Sequence, residues 1–193
     1  NPDERLTLAT ELLDVARTAR DAERTLDGYQ AMCIVDLELG RIDAARTDID
    51  LARQLASDLR QPTEIFAMRT YEVVLALLEG RFDAAEAMLV AHPSEPDLNP
   101  TRDNQPTNAV HWFLLRRPQG RSGEVERLVR DAASAFPWYP YLRSALALIL
   151  VDGDRLEEAR IVFDGLAADG FRALYPDSQW LAGVSMAAEV AVA

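Results

Sequence analysis

The chain has 193 residues, 49% of them hydrophobic and 27% charged, with 30 Ala, nine Gly and a net charge of −12. That length holds one ordinary domain or one stretch of a repeat array, and the composition is too apolar for an intrinsically disordered chain. All 20 basic residues are Arg, and the acidic excess opposes counterion-driven binding to nucleic acid or to anionic membranes.

Leu6, Ala9, Leu13, Ala16 and Ala19 recur at helical spacing, so the stretch 4–23 reads as a first helix. Tyr29, Met32, Cys33 and Leu37 mark a second, which ends at Gly40-Arg41-Ile42-Asp43-Ala44-Ala45. Ala45, Ile49, Ala52 and Leu55 or Ala56 follow in a third helix that reaches Leu59. Pro62 suits the first turn of a fourth, with Ile65, Met68, Val73, Leu75 and Ala76 inside it. That helix ends at Gly80-Arg81-Phe82-Asp83-Ala84-Ala85, and Ala85, Met88 and Leu89 carry a fifth. Pro93, Pro96, Pro100 and Pro106 make 92–106 a long loop. Ala109, Trp112 and Phe113 precede Gly120-Arg121-Ser122-Gly123-Glu124-Val125; Val125, Leu128, Val129, Ala132 and Phe136 follow it. Pro137 and Pro140 bracket the next start. Leu142, Ala145, Leu146 and Ile149 then lead to Gly153 and Asp154-Arg155-Leu156-Glu157-Glu158-Ala159, with Ala159, Val162, Phe163 and Leu166 beyond. Pro176-Asp177-Ser178 starts the last helix.

The four punctuation points lie 40, 40 and 34 residues apart, which is the signature of a repeat. Each separates a helix A from a helix B, giving one orphan B helix, four A/B pairs and one orphan A helix. The Gly takes the left-handed conformation that reverses the chain. Acidic residues after it favour the start of helix B, and a small Ala lets B approach A closely. No pair buries its own apolar face, so stacked pairs must share a core.

These residues resemble tetratricopeptide repeats over nearly the whole chain, from about Leu6 onward; Gly120, Ala132 and Pro137 carry the pattern best. The resemblance implies an all-α, right-handed superhelix of antiparallel helix pairs. Spacings of 40 exceed the usual repeat length, and Arg69 stands where Tyr29 supplies the aromatic of helix A. The stretches Phe113-Leu114-Leu115-Arg116-Arg117-Pro118-Gln119-Gly120-Arg121 and Leu166-Ala167-Ala168-Asp169-Gly170-Phe171, the latter followed by Trp180-Leu181, look like the C-terminal helical repeats of actinobacterial signalling regulators. Those regulators join an ATPase module, with a nucleotide-cyclase or LuxR-type domain, to such repeats. The resemblance implies a non-catalytic sensor or partner-binding arm. The start at Asn1 without Met and the helical pattern near both ends point to one helical-repeat domain, 1–193, cut from a longer chain.

In such a superhelix helix A faces the concave groove. By register the groove residues are Asp27, Gln30, Ile34 and Glu38; Thr70, Val74 and Leu77; Thr107, Val110, Leu114 and Arg117; and Tyr141, Ser144, Leu148 and Val151. The competing reading is that a neighbouring pair or terminal helix covers several of them. The partner would be a protein, a peptide, a small effector or the regulator's own other domains. A carboxylate clamp of the Lys and Asn type has no Lys here, and Gln30 and Ile34 hold its places. Arg116-Arg117 suits either an oxyanion or a helix C-terminus. His111-Trp112 with Asn104 and Asn108 forms either a ligand corner or ordinary packing.

One Cys, Cys33, excludes a disulfide framework and a Cys-based zinc site, and two His make a multi-His site improbable. No phosphate loop, nucleophile elbow or zincin motif occurs. The carboxylate pairs Glu72 and Glu79, Asp48 and Asp50, and Glu157 and Glu158 read as solvated helix faces. No catalytic residue, metal or cofactor is therefore expected, and no apolar run approaches the roughly 18 residues of a membrane span. With no signal peptide visible, the setting expected is cytoplasmic. Trp180, Leu181, Val184 and Met186 offer an apolar face for homo-oligomer formation, which makes a structural scaffold the alternative to a sensor; an enzyme on a helical-repeat frame ranks third.

Overall fold

In this computed structural model, which describes residues 1–91, 105–175 and 180–193, the regular structure of the described residues is ten α-helices and one 3-10 turn, without a strand. The chain divides into two compact units, Asn1–Asn99 and Pro100–Ala193. The first holds α1 (Pro2–Ala19), α2 (Ala22–Glu38), α3 (Ile42–Asp58), α4 (Pro62–Leu78) and α5 (Phe82–Ala91). The second holds α6 (Gln105–Arg116), α7 (Glu126–Ala135), α8 (Tyr141–Asp152), α9 (Leu156–Ala167) and α10 (Trp180–Ala191).

The repeat is written in the reversals between A and B helices. Gly40, Gly80 and Gly120 have φ of 71°, 69° and 69°, and Asp154 takes the fourth place at 56°. Nothing lies within 4 Å of where a Cβ would sit on these three glycines. The left-handed backbone, not space, therefore calls for Gly. Asp154 is a residue type that tolerates this region. Each reversal carries the same pair of bonds: Gly40 N–H to Leu37 C=O and Arg41 N–H to Asp36 C=O, at 3.1 and 2.8 Å, recur as Gly80 to Leu77 and Arg81 to Ala76 at 3.1 and 2.8 Å. Gly120 to Arg117 and Arg121 to Arg116, then Asp154 to Val151 and Arg155 to Leu150, complete the set. These bonds satisfy carbonyls that a helix end leaves open.

Helix length separates the Gly40–Gly80 spacing of 40 from the Gly120–Asp154 spacing of 34. In the first unit α2, α3 and α4 are each 17 residues long; in the second α6, α8 and α9 are each 12. The excess expected in helix B between Gly40 and Gly80 is present in α3, and α4 shares it. The first helix ends at Ala19, short of the expected residue 23. Arg20 is left-handed at φ 56°, and the Asp21 side chain accepts from Arg24 N–H at 3.0 Å, capping a new helix from Ala22. Gln105 and Pro106 lie inside α6, not in a loop; residues 92–104 of the expected loop, and Pro176-Asp177-Ser178, fall outside the described residues. The third B helix opens as a 3-10 turn, Ser122–Val125, because Gly123 stands where the other copies carry Asp43, Asp83 and Glu157.

In the first unit each helix packs on the next in sequence. Leu13, Leu26, Cys33, Ile49, Ala52, Met68 and Leu75 form its core. Arg53 to Glu72, at 3.2 Å, and Arg46 to Glu79 tie α3 to α4. Arg69 is half-buried. The second unit centres on α8, whose residues 141–150 are buried apart from Arg143. A helix apolar on all sides needs cover on all sides, and α6, α7, α9 and α10 supply it.

One polar contact sits in the first core. Asp36, 2% exposed, hydrogen-bonds through its carboxyl group to that of Asp48 on α3. Burial and the neighbouring Asp36 push Asp48 up to about 6, with Arg17 opposing. The folded chain therefore holds this proton more tightly than the unfolded one, whose Asp titrates near ~3.9. The stabilising contribution is complete below that value and is lost as pH rises through about 6. Asp48→Asn keeps a neutral partner for Asp36. Urea unfolding should find the variant more stable than the parent chain at pH 7.5, by about 1 kcal/mol once partial exposure is discounted. The difference should close by pH 4.

Candidate functional site

Three A helices of the second unit surround a groove of about 960 Å³. Its floor is apolar: Val110, Phe113 and Leu114 from α6, Ile149 from α8 and Met186 from α10. Helical spacing puts Val110, Leu114 and Arg117 on one side of α6. The α10 wall stands close to α8 because residue 183 is Gly. A Cβ there would lie 2.7 Å from Tyr141 Cδ1 and 2.9 Å from Leu174 Cδ2.

The polar groups of the groove are paired across helices. Arg117 reaches Asp152 Oδ2 of α8 through Nε at 3.3 Å and Glu189 Oε2 of α10 through Nη2 at 2.8 Å. Ser122, 5% exposed, donates to the same Asp152 oxygen at 2.7 Å. The hydrogen bond to Glu189, then those to Asp152, hold the Arg117 guanidinium above its ordinary pKa. On the B side Arg155 binds Glu126 and Glu158, each at 2.7 Å, and Arg130 binds Glu126 at 2.7 Å. The hydrogen bond from Arg130, then that from Arg155, lowers the Glu126 carboxyl. The arrangement can hold an elongated apolar body with a polar end, because only its rim carries charge. Among the described residues no group of three or more His, Cys, Asp or Glu is placed to hold a metal.

Val110, Leu114 and Arg117 line this groove together. Leu114 is 43% exposed. Tyr141, Ser144 and Leu148 are not available to a ligand: they are 5%, 0% and 1% exposed. The reason is that α10 lies against Tyr141 and α8 is packed on all sides, so Ile149 and Asp152 turn to the groove instead. The first-unit residues are half-buried on α2 and α4, Glu38 excepted. Gln30 donates to Glu64, joining α2 to α4, and Arg5 pairs with Glu38, joining α1 to α2. Thr70 donates to Phe66 C=O within its own helix at 3.1 Å. Ile34, Val74 and Leu77 line none of the cavities that hold the groove set.

Other singled-out residues take structural places. Arg116 is 5% exposed, lies 5.1 Å from the Trp112 ring centre, and reaches Gln119 at 3.0 Å and Glu124 at 3.4 Å. It closes the end of α6. His111 is 6% exposed, and Asn104 lies outside the described residues. Cys33 is fully buried, and burial, then Asp48 and Asp36, pushes its thiol up to about 12. Such a thiol is inert. Sequence reasoning missed Asp152, Ser122 and Glu189. Glu189 did carry a signal, as the one charge in α10.

No protein family, curated protein or solved structure matches this chain. No helix among the described residues is long and apolar enough to cross a membrane.

The Gly183 contact can be tested. Gly183→Ala should gain about 1 kcal/mol of helix propensity and lose about 1–3 kcal/mol to overpacking against the buried Tyr141 ring. Net destabilisation in a thermal melt, with earlier proteolytic cutting within α10, is the expected result; a more stable variant would show that α10 does not dock on Tyr141.

Proposed function

We propose that this chain is a non-catalytic interaction module whose second unit takes a peptide or small effector into the groove between α6, α8 and α10. One observation carries the reading: the expected groove residues Val110, Leu114 and Arg117 line a cavity of about 960 Å³ with an apolar floor. Its charged rim supports binding over chemistry, since Arg117 and Arg155 are each held by two carboxylates. An apolar floor supplies affinity and the rim supplies orientation.

In the same proposal the helix pairs stack as tetratricopeptide-like repeats in a right-handed superhelix. The module serves a cytoplasmic bacterial signalling or transcription regulator and passes its bound state to a linked domain. Such coupling requires a ligand that favours one arrangement of the parent protein over another.

The test is selection from a peptide library displayed on phage, followed by thermal shift with the recovered peptides. A peptide that binds only the folded chain raises its melting temperature. Leu114→Glu and Met186→Glu should each weaken binding at least tenfold, about 1.4 kcal/mol, with helical content unchanged. Binders indifferent to both changes would place recognition elsewhere and overturn the reading.

A further inference from the structure

The charges around the groove do not balance, and the imbalance lies at one end. Among the described residues its ionisable lining is Arg117 and Arg155 against Glu126, Asp152 and Glu189. On the B side Arg155 and Arg130 face Glu126 and Glu158, and the charges cancel. On the A side the single guanidinium of Arg117 faces two carboxylates, Asp152 and Glu189. The excess negative charge therefore sits at the Arg117 end.

The hydrogen bonds point to the same end. Asp152 Oδ2 accepts from both Arg117 Nε and Ser122 Oγ, while no described group donates to its Oδ1. Glu189 Oε2 accepts from Arg117 Nη2, and no described group donates to its Oε1. Both oxygens of Glu126 and both of Glu158 are, by contrast, taken by Arg130 and Arg155. An ionised carboxylate only accepts, so what the Arg117 end lacks is a donor. A cationic donor removes the excess charge as well. The Asp152 and Glu189 side chains are 29% and 51% exposed, within reach of a ligand.

The apolar floor runs directly into this end. On each of the three A helices an apolar lining residue is followed three positions on by a charged one: Leu114 by Arg117, Ile149 by Asp152, and Met186 by Glu189. Residues three apart share a helix face. Because Arg117 bonds both Asp152 and Glu189, the three charged positions meet, and the apolar ones lie together about one turn, ~5.4 Å, away.

We propose that the groove takes a peptide whose apolar side chains lie over Leu114 and Met186 and whose Lys or Arg seats one turn further on, against Asp152 Oδ1 and Glu189 Oε1. This rests on the groove reading above and adds the chemistry of the partner. A cavity of about 960 Å³ has room for several side chains at once, which suits a peptide better than a lone amine. A peptide carboxylate at the same place would meet two carboxylates and one guanidinium that they already share. The net charge of −12 draws a basic partner in, and salt screens that attraction.

Short random peptides displayed on phage are selected on the full chain, and those that also bind the Leu114→Glu variant are discarded. The peptides that remain should carry Lys or Arg beside apolar residues. In synthetic copies read by fluorescence anisotropy, replacing that Lys or Arg by Glu should weaken binding about tenfold, since an attraction is lost and a repulsion gained. Binding of the basic form should fall with salt. Glu189→Gln still offers Arg117 an acceptor, and it should weaken the basic peptide about threefold and leave a copy with Gln at the basic position unchanged. Asp131→Asn removes a negative charge from an exposed site on α7 and should affect neither. If the two variants weaken the basic peptide alike, the attraction belongs to the whole chain and the proposal is overturned. Leu114-dependent binders that are neutral or acidic also overturn it, while leaving the groove reading intact. If no Leu114-dependent binder is recovered, the groove reading fails and the proposal with it. Far-UV circular dichroism checks folding, and Asp152→Asn repeats the test should Glu189→Gln lose helical content.

Discussion

Everything in this chain depends on reversing one helix tightly against the next. Four reversals share a left-handed residue and two backbone hydrogen bonds. A left-handed residue costs about 1–2 kcal/mol when it is not Gly, so three of the four are Gly, and Asp154 accepts the strain. The bonds satisfy the last carbonyls of helix A, and the chain leaves in the direction that lays helix B back along it. Ala45, Ala85 and Ala159, all buried, then let the pair close.

The groove follows from the same economy of surface. In the second unit α8 is covered by four neighbours, and a helix so enclosed offers the groove only Ile149 and Asp152 near its C-terminal end. What remains open lies between the A helices, where α6 and α10 stand on either side of the C-terminal end of α8. Arg117 joins all three helices through Asp152 and Glu189. Ser122 takes a second lone pair of Asp152 from the 3-10 turn. An exposed ion pair contributes little by itself, but this set is half-shielded and shares partners, so its main effect is to fix where α10 stands over the floor.

The first unit uses its polar residues differently. Gln30, Glu38 and Glu64 are taken up by bonds between helices. The Asp36–Asp48 contact sets two carboxyl groups together at the edge of the core, which raises Asp48. Two carboxyl groups at this site hold together as acid and carboxylate, and strain against each other when both ionise.

Much was legible in the residues. Period and punctuation identified the helices because burying one side of a helix forces a three-to-four residue recurrence, and the left-handed turn leaves Gly as its mark. Val110, Leu114 and Arg117 could be placed on one face for the same reason. Tyr141, Ser144 and Leu148 could not be judged, because the pattern of α8 alone does not say which neighbours cover it; Gly183 does, by admitting α10 to the Tyr141 ring. Asp152 and Glu189 looked like any solvated acid until tertiary packing brought both to Arg117. Sequence by itself determined the helices, their reversals and their repeat, since these are local: backbone conformation and periodic burial are properties of neighbours in the chain. Only tertiary structure decided which faces stay open and which charges meet, since those depend on residues 35 and 72 positions apart whose approach no local pattern records.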